Sequence, residues 1–389
     1  MKKKVLAVTG IRSEYDILYP VLKALANDPA FELKVVVTGA HLSDWHGFTV
    51  KQIEKDGFTI AERIDSLFLT DRVTQRAKGA GVLALSLSQT VEREQPDILL
   101  VVGDREESIA TAMVGNYMDV LVAHIGGGDT VFGNADDPVR FAVSKLAHIH
   151  FPFAQAYADN LLKIGEEEFR VFNVGDPGLD NILNVPVIQW EDVKRAIEWT
   201  VEPGRFFTIL YHPLSSEKDC SCEQMDMLLS TCERFCVQND IKAVGIFPNT
   251  DPGSSGVLES IKKNSGSGHI RFYKTLPRDV FVNIMRNSLM LVGNSSMGVL
   301  EAPFYELPVV NVGNRQKGRI NAGNVLFVEH DDQSVMQAMQ KSCFDESYRR
   351  DLNKCKDYYG EGKTAEKIVK ILSDIDPRDR KWHIKRRLC

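Results

Sequence analysis

Cysteine is absent before position 220 and then occurs seven times, at 220, 222, 232, 236, 343, 355 and 389. An odd, late-clustered set excludes the disulfide framework of a secreted domain and suits reduced thiols. No paired C-x2-C knuckle occurs. Cys232 and Cys236 stand at helical i, i+4 spacing in an amphipathic stretch, so helix packing is expected of them and no metal site. Long apolar runs are missing too: none approaches the ~18 residues of a membrane span. The Lys2-Lys3-Lys4 start is followed by too few apolar residues for a signal sequence, so a cytoplasmic protein is expected. Positive charge is in deficit, with 47 Lys and Arg against 53 Asp and Glu and a net charge of −6. That argues against nucleic acid or an anionic membrane as partner; an anionic ligand would need a local basic pocket. Short repeats and low-complexity segments are also lacking, which excludes solenoid and fibrous architectures.

The 389 residues exceed one ordinary core and imply two domains. In the first half, apolar β-branched runs (4–9, 32–38, 59–64, 97–102, 120–123) alternate with helical patterns (15–26, 49–55, 76–94 and one running to 117). Uninterrupted apolar strands separated by helices indicate a parallel sheet covered on both faces. A helix over 138–147 and strands at 148–151 and 170–174 complete the series. The pattern weakens at 184–189 and resumes with strands at 206–211, 242–247, 270–273, 289–292 and 309–312 and a helix near 222–237. The fold class is therefore α/β: two Rossmann-like, doubly wound domains facing across a cleft. The expected boundaries are 1–184 and 185–375, with a basic tail at 376–389 that reads as solvated or as an interface.

The stretch His124–His150 (HIGGGDTVFGNADDPVRFAVSKLAHIH) organises the first domain. A strand runs into three glycines, which let a backbone approach a ligand closely. Asp129, Asp136 and Asp137 follow. Carboxylates in loops at the carboxyl ends of strands are where an open α/β sheet places its chemistry. Gly10-Ile11-Arg12 and Gly103-Asp104-Arg105 are equivalent turns; Asp104 reads as an acid, a base or a helix cap. Gly293-Asn294-Ser295-Ser296 precedes a helix over 297–305 and reads either as a phosphate site or as an ordinary cap. Glu301 suits ribose hydroxyls or the helix dipole. Arg315, in RQKGR, suits a diphosphate or a solvated charge run. His212, in Tyr211-His212-Pro213, reads as structural when alone and as catalytic when several strand-end motifs converge. His148 and His150 share one strand face and read as packing residues.

Taken in order, GIRSEYD (10–16), VTGAHLS (37–43), GDRE (103–106), HIGGGD (124–129), DDPVRFAVSKLAHIH (136–150), YHP (211–213), GNSS (293–296) and GNRQKGR (313–319) resemble the UDP-N-acetylglucosamine 2-epimerase family. The likeness is to its hydrolysing branch, which feeds sialic and legionaminic acid synthesis. The resemblance implies a glycosyltransferase-B-like fold, no cofactor and no obligatory metal, a nucleotide-sugar substrate and a homodimer or homotetramer. The implied reaction removes the C2 proton, expels the nucleoside diphosphate to leave a glycal, and adds water to give the free 2-epimeric sugar. Arg12, Ser295, Ser296, Glu301 and Arg315 match nucleotide-contacting positions, and His124 and Arg140 join the substrate-binding set. Asp104, Asp137 and His212 match catalytic or sugar-contacting positions.

Two departures stand out. Gly126 replaces a Glu or His of the family loop, and Phe141 replaces a His. Gly126 leaves room for an extra substituent, as in UDP- or GDP-N,N′-diacetylbacillosamine, while Asp129 is positioned to supply the missing carboxylate. The alternatives are a non-hydrolysing epimerase and a sugar-nucleotide-binding protein that has lost catalysis through Gly126.

Overall fold

The computed structural model describes residues 2–70, 72, 74–130, 136–355 and 358–385, with Asp136 described by its backbone alone. The described residues form two compact units. The first comprises residues 2–130, 136–181 and 359–385; the second runs from Ile182 to Tyr358.

The first unit holds β1 (Lys3–Thr9), β2 (Phe31–Thr38), β3 (Ile60–Ile64), β4 (Ile98–Val102), β5 (Leu121–Ile125) and β6 (Ile149–Phe151). All pair in parallel in the order β3-β2-β1-β4-β5-β6. Every residue of β4 (ILLVV) and β5 (LVAHI) is buried, because helices cover both faces and no alternation of polar residues is needed. Leu83, Leu87 and Val91 of the helix Thr74–Glu94 pack on Leu6, Val8, Leu99 and Val101. The strand order reverses between β1 and β4, so their carboxyl ends flank the crevice where such sheets bind ligands.

The second unit repeats the plan with β7 (Phe206–Leu210), β8 (Lys242–Ile246), β9 (Ile270–Tyr273), β10 (Leu291–Gly293), β11 (Val309–Val312) and β12 (Val325–Val328), in the order β12-β11-β10-β7-β8-β9. Its reversal lies between β7 and β10. Cys232 and Cys236 are fully buried on the helix Ser221–Asn239, packed with Phe207, Phe235 and Met225.

Three expectations change. The strand expected at 170–174 reduces to one bridge, His150 to Val171, because Arg170 forms the end of a 3-10 turn and buries its whole side chain. The second domain does not run to 375: the helix Thr364–Asp374 belongs to the first unit, where Asp180 accepts the N–H groups of Thr364 and Ala365 at 3.0 and 2.7 Å. The tail is not solvated over its described residues. Trp382 is buried, Arg170 donates to the carbonyls of Trp382, Lys381 and Ile384, and Lys385 donates to those of Lys145 and Ala147. Basic side chains there satisfy the last carbonyls of a helix, which a charge count alone does not reveal.

Candidate active site

In the first unit the loops after β4 and β5 are tied together by one guanidinium. Arg140, in the helix Asp136–Leu146, donates to the Asp104 carboxylate and, at 2.7 Å, to the Gly126 carbonyl. Asp129 lies 3.9 Å from the same guanidinium and has no exposed surface. A buried Arg matched to carboxylates is held more rigidly than a Lys would be. Asp104 keeps 17% of its side chain exposed, so it is the carboxylate of this pair that a ligand can reach. Asp137, half-buried, sits three residues before Arg140 and hence on the same helix face. Residues 131–135 and the Asp136 side chain fall outside the described residues.

His124 holds this arrangement from behind. It is fully buried, with Nε2 2.7 Å from the Gly103 carbonyl and Nδ1 3.2 Å from Ser144 Oγ. Burial pushes its pKa down to about 3, so the ring is neutral. With both nitrogens engaged by the protein, His124 supports the Gly103 turn; direct ligand binding, expected from the motif, has no free atom to use. His148 and His150 pack as expected: Val122 N–H donates to His148 Nδ1, and His150 Nε2 lies 3.0 Å from Glu166.

The glycine run differs from its expected use. Gly126 and Gly128 have φ of +79° and +81°, where side chains are strained. A Cβ at Gly126 would lie 3.0 Å from the Phe153 ring, and one at Gly128 only 2.1 Å from the Tyr157 carbonyl oxygen. The close approach is to the protein's own chain, and the space beside Gly126 is filled by Phe153 rather than open to a substrate group.

The β1 turn carries Arg12 as the first residue of the helix Arg12–Asn27, its Nε 3.4 Å from Asp16. A cation in a helix's first turn opposes the dipole, and the i,i+4 pair with Asp16 offsets that. Beside this turn lie two acids that sequence reasoning missed, Glu14 and Glu107, each 7% exposed.

In the second unit the strand ends converge on Asn294, 2% exposed, a residue the sequence offers only as part of the GNSS motif. Its Oδ1 accepts the His212 N–H at 2.7 Å and its Nδ2 donates to the His212 carbonyl at 2.8 Å. Its own carbonyl accepts from Arg315 and Gln316, both at 3.1 Å. The Asn294 side chain thus ties the turn after β7 to that after β10, and its main-chain carbonyl ties in the turn after β11. His212 Nδ1 accepts the Asn249 N–H at 3.1 Å, which assigns the proton of a neutral ring to Nε2. Arg315, 13% exposed, has Asp251 3.9 Å away; among the described residues its buried Nε has no hydrogen-bond partner. Ser295 Oγ accepts the Met297 N–H at 3.4 Å, and Ser296 makes no side-chain cap. The helix expected over 297–305 is only Met297–Leu300, followed by a 3-10 turn. Glu301 ends the short helix instead of opening a long one. Four residues carry little dipole, so positive charge beside Asn294 comes from Arg315.

Two doubly wound sheets, each with polar and charged side chains gathered at its strand crossover, define the class: a two-unit α/β protein. Residues 23–373 match the profile of the family described as UDP-N-acetylglucosamine 2-epimerase, and the chain belongs to that family. It is 32% identical over 379 residues to the hydrolysing UDP-N,N′-diacetylbacillosamine 2-epimerase of Legionella pneumophila, covering 96% of this chain and 97% of the relative. It is 31% identical to the hydrolysing GDP/UDP-N,N′-diacetylbacillosamine 2-epimerase of Campylobacter jejuni, covering 87% of each. The solved structure of UDP-GlcNAc 2-epimerase from Neisseria meningitidis bound to UDP-GlcNAc shares the fold with a TM-score of 0.80 at 19% identity, covering 95% of this chain and 99% of that one.

Proposed function

We propose that this chain is a hydrolysing 2-epimerase of a nucleotide-activated N-acetylated amino sugar, taking UDP-N-acetylglucosamine or a UDP- or GDP-N,N′-diacetylbacillosamine. The reading is carried by near-complete alignment with two hydrolysing relatives at 31–32% identity.

In this reading Arg12, Arg315, Ser295, Ser296 and Glu301 hold the nucleotide, and the Nε2–H of His212 donates to the departing diphosphate. Asp104 and Asp137 work on the sugar: one carboxylate removes the C2 proton while the diphosphate leaves, and water then adds to the glycal. Asp129, fully buried beside Arg140, positions that arginine. The product, a free 2-epimeric amino sugar, suits the start of nonulosonate synthesis.

The test is incubation with a panel of UDP- and GDP-sugars in deuterated water, followed by NMR. Free 2-epimeric sugar carrying C2 deuterium, with free nucleoside diphosphate, is expected. An epimerised sugar still bearing its nucleotide would establish the non-hydrolysing reaction instead. Nucleotide binding without turnover would establish a protein that has lost catalysis.

A further inference from the structure

Burying a carboxyl oxygen without a hydrogen-bond partner is costly, and the first unit does so twice at its strand crossover. Glu14 and Glu107 are each 7% exposed, and among the described residues Glu14 Oε1 and Glu107 Oε2 have no hydrogen-bond partner. Space for them is kept by glycines that end three adjacent strands. A Cβ at Gly10, after β1, would lie 1.8 Å from Glu107 Oε1, and one at Gly39, after β2, 2.8 Å from the same atom. A Cβ at Gly103, after β4, would lie 3.5 Å from Glu14 Oε1. Two acids are thus fitted against the turns that present Arg12 and Asp104.

We propose that Glu14 and Glu107 form a protonatable pair whose uptake and release of a proton positions the turns Gly10–Arg12 and Gly103–Arg105 and so sets the pH range of the reaction. The proposal rests on the epimerase reading for its effect on turnover, though not for the titration itself. Both are positioning residues.

The charges around the pair support this. Arg105, with its Nε 3.9 Å from Glu107 Oε2, is the cation facing both acids. Arg76 faces Glu107 from the helix Thr74–Glu94 and is bidentate to Glu106 at 2.9 and 3.1 Å. Glu106 and Asp104 add like charge, and His46 faces Arg105. Burial first, then neighbouring carboxylates, push Glu107 up to about 7 and Glu14 well above the usual carboxylate range. Near neutrality the pair therefore holds a proton. Losing it places uncompensated charge against backbone that has no side chain to yield, and the turns must shift.

The experiment compares wild type, Glu107→Gln and Glu14→Gln, with folding checked by circular dichroism. In wild type kcat/KM for nucleoside diphosphate release should fall about tenfold per pH unit above neutrality. Glu107→Gln should flatten that limb while leaving UDP affinity within about threefold, and Glu14→Gln should displace it. An alkaline limb identical in all three proteins, or absent from wild type, overturns the proposal.

Should no nucleotide sugar turn over, the epimerase reading fails and the pair is tested by melting. A carboxyl raised in the folded state stabilises below that pKa and loses this contribution as pH rises through it. The Tm of Glu107→Gln should therefore gain on wild type between about pH 6 and about pH 8. Parallel Tm curves overturn the proposal.

Discussion

Arg140 donates to the Asp104 carboxylate across the end of the first sheet, from a helix 36 positions further along the chain. The same guanidinium holds the Gly126 carbonyl, so one side chain fixes the geometry of two turns expected to carry chemistry. Removing one member of a buried ion pair leaves the other uncompensated. Arg140→Ala should cost roughly 3 kcal/mol in urea unfolding and lower kcat/KM by at least about 100-fold. Arg140→Lys should recover part of the stability and little of the activity, because a single ammonium cannot reproduce the two-pronged contact. An alanine variant as stable and active as wild type would remove Arg140 from the site.

Asn294 is the corresponding joint of the second unit. Asn294→Ala removes the amide that His212 uses twice, leaving buried backbone groups unsatisfied at about 1–3 kcal/mol. UDP affinity measured by calorimetry should drop about tenfold, since the turn bearing His212 loses its tie to the turn after β10, whose main-chain carbonyl still holds Arg315. Unchanged affinity in a folded variant would mean that UDP binds elsewhere.

Acid should unfold this protein early. His41, His124 and His148 are each held down to about 3 by burial, and His150 is lowered as well. A lowered imidazole stays neutral in the folded chain while the unfolded chain takes up a proton below about 6.5, so stability falls as pH drops through that value. Glu166, held down to about 2 by His150 and its lysines against the cost of burial, adds a loss below about 4.5. Glu14 and Glu107 act in the opposite direction, but four imidazoles outnumber them. Tm should therefore decline steadily from about pH 7 to about pH 4, and a flat profile would contradict the burial of these rings.

Most strands were legible because burial on both faces leaves apolar runs such as ILLVV unbroken. The helices Gln155–Lys163, Trp190–Ile197, Ser254–Lys263 and Arg278–Asn287 and the strand Val325–Val328 were not read; they are short, and brief apolar runs do not separate the two periods. Asp104, His212 and Arg315 stood out because they punctuate strand ends, and Arg140 only through the family motif that holds it. Glu14, Glu107 and Asn294 did not, since their importance arises from three-dimensional neighbours. Glycines ending β1, β2 and β4 were visible, but not the acids they accommodate. Nor did the sequence show which unit receives the helix Thr364–Asp374.

The last described residues are a further target. Deleting residues 376–389 removes Trp382 and the carbonyls that Arg170 binds, and leaves the helix bearing Arg140 without Lys385 at its end. Melting should shift down by several degrees, as expected for the loss of about 2 kcal/mol or more from a large protein, and turnover should fall with it. A truncated chain with unchanged Tm would show that the tail contributes nothing in solution.

The segment from residue 359 onward closes onto the first unit after the second has been threaded. On the ribosome, β1 to β6 must therefore wait, lacking the helix Thr364–Asp374, until the whole of the second sheet has emerged. A chain arrested at residue 181 is an unfinished fold that leaves apolar surface for chaperones to cover. Completion of the first unit therefore waits on the helix Thr364–Asp374, which the chain supplies only after the second sheet.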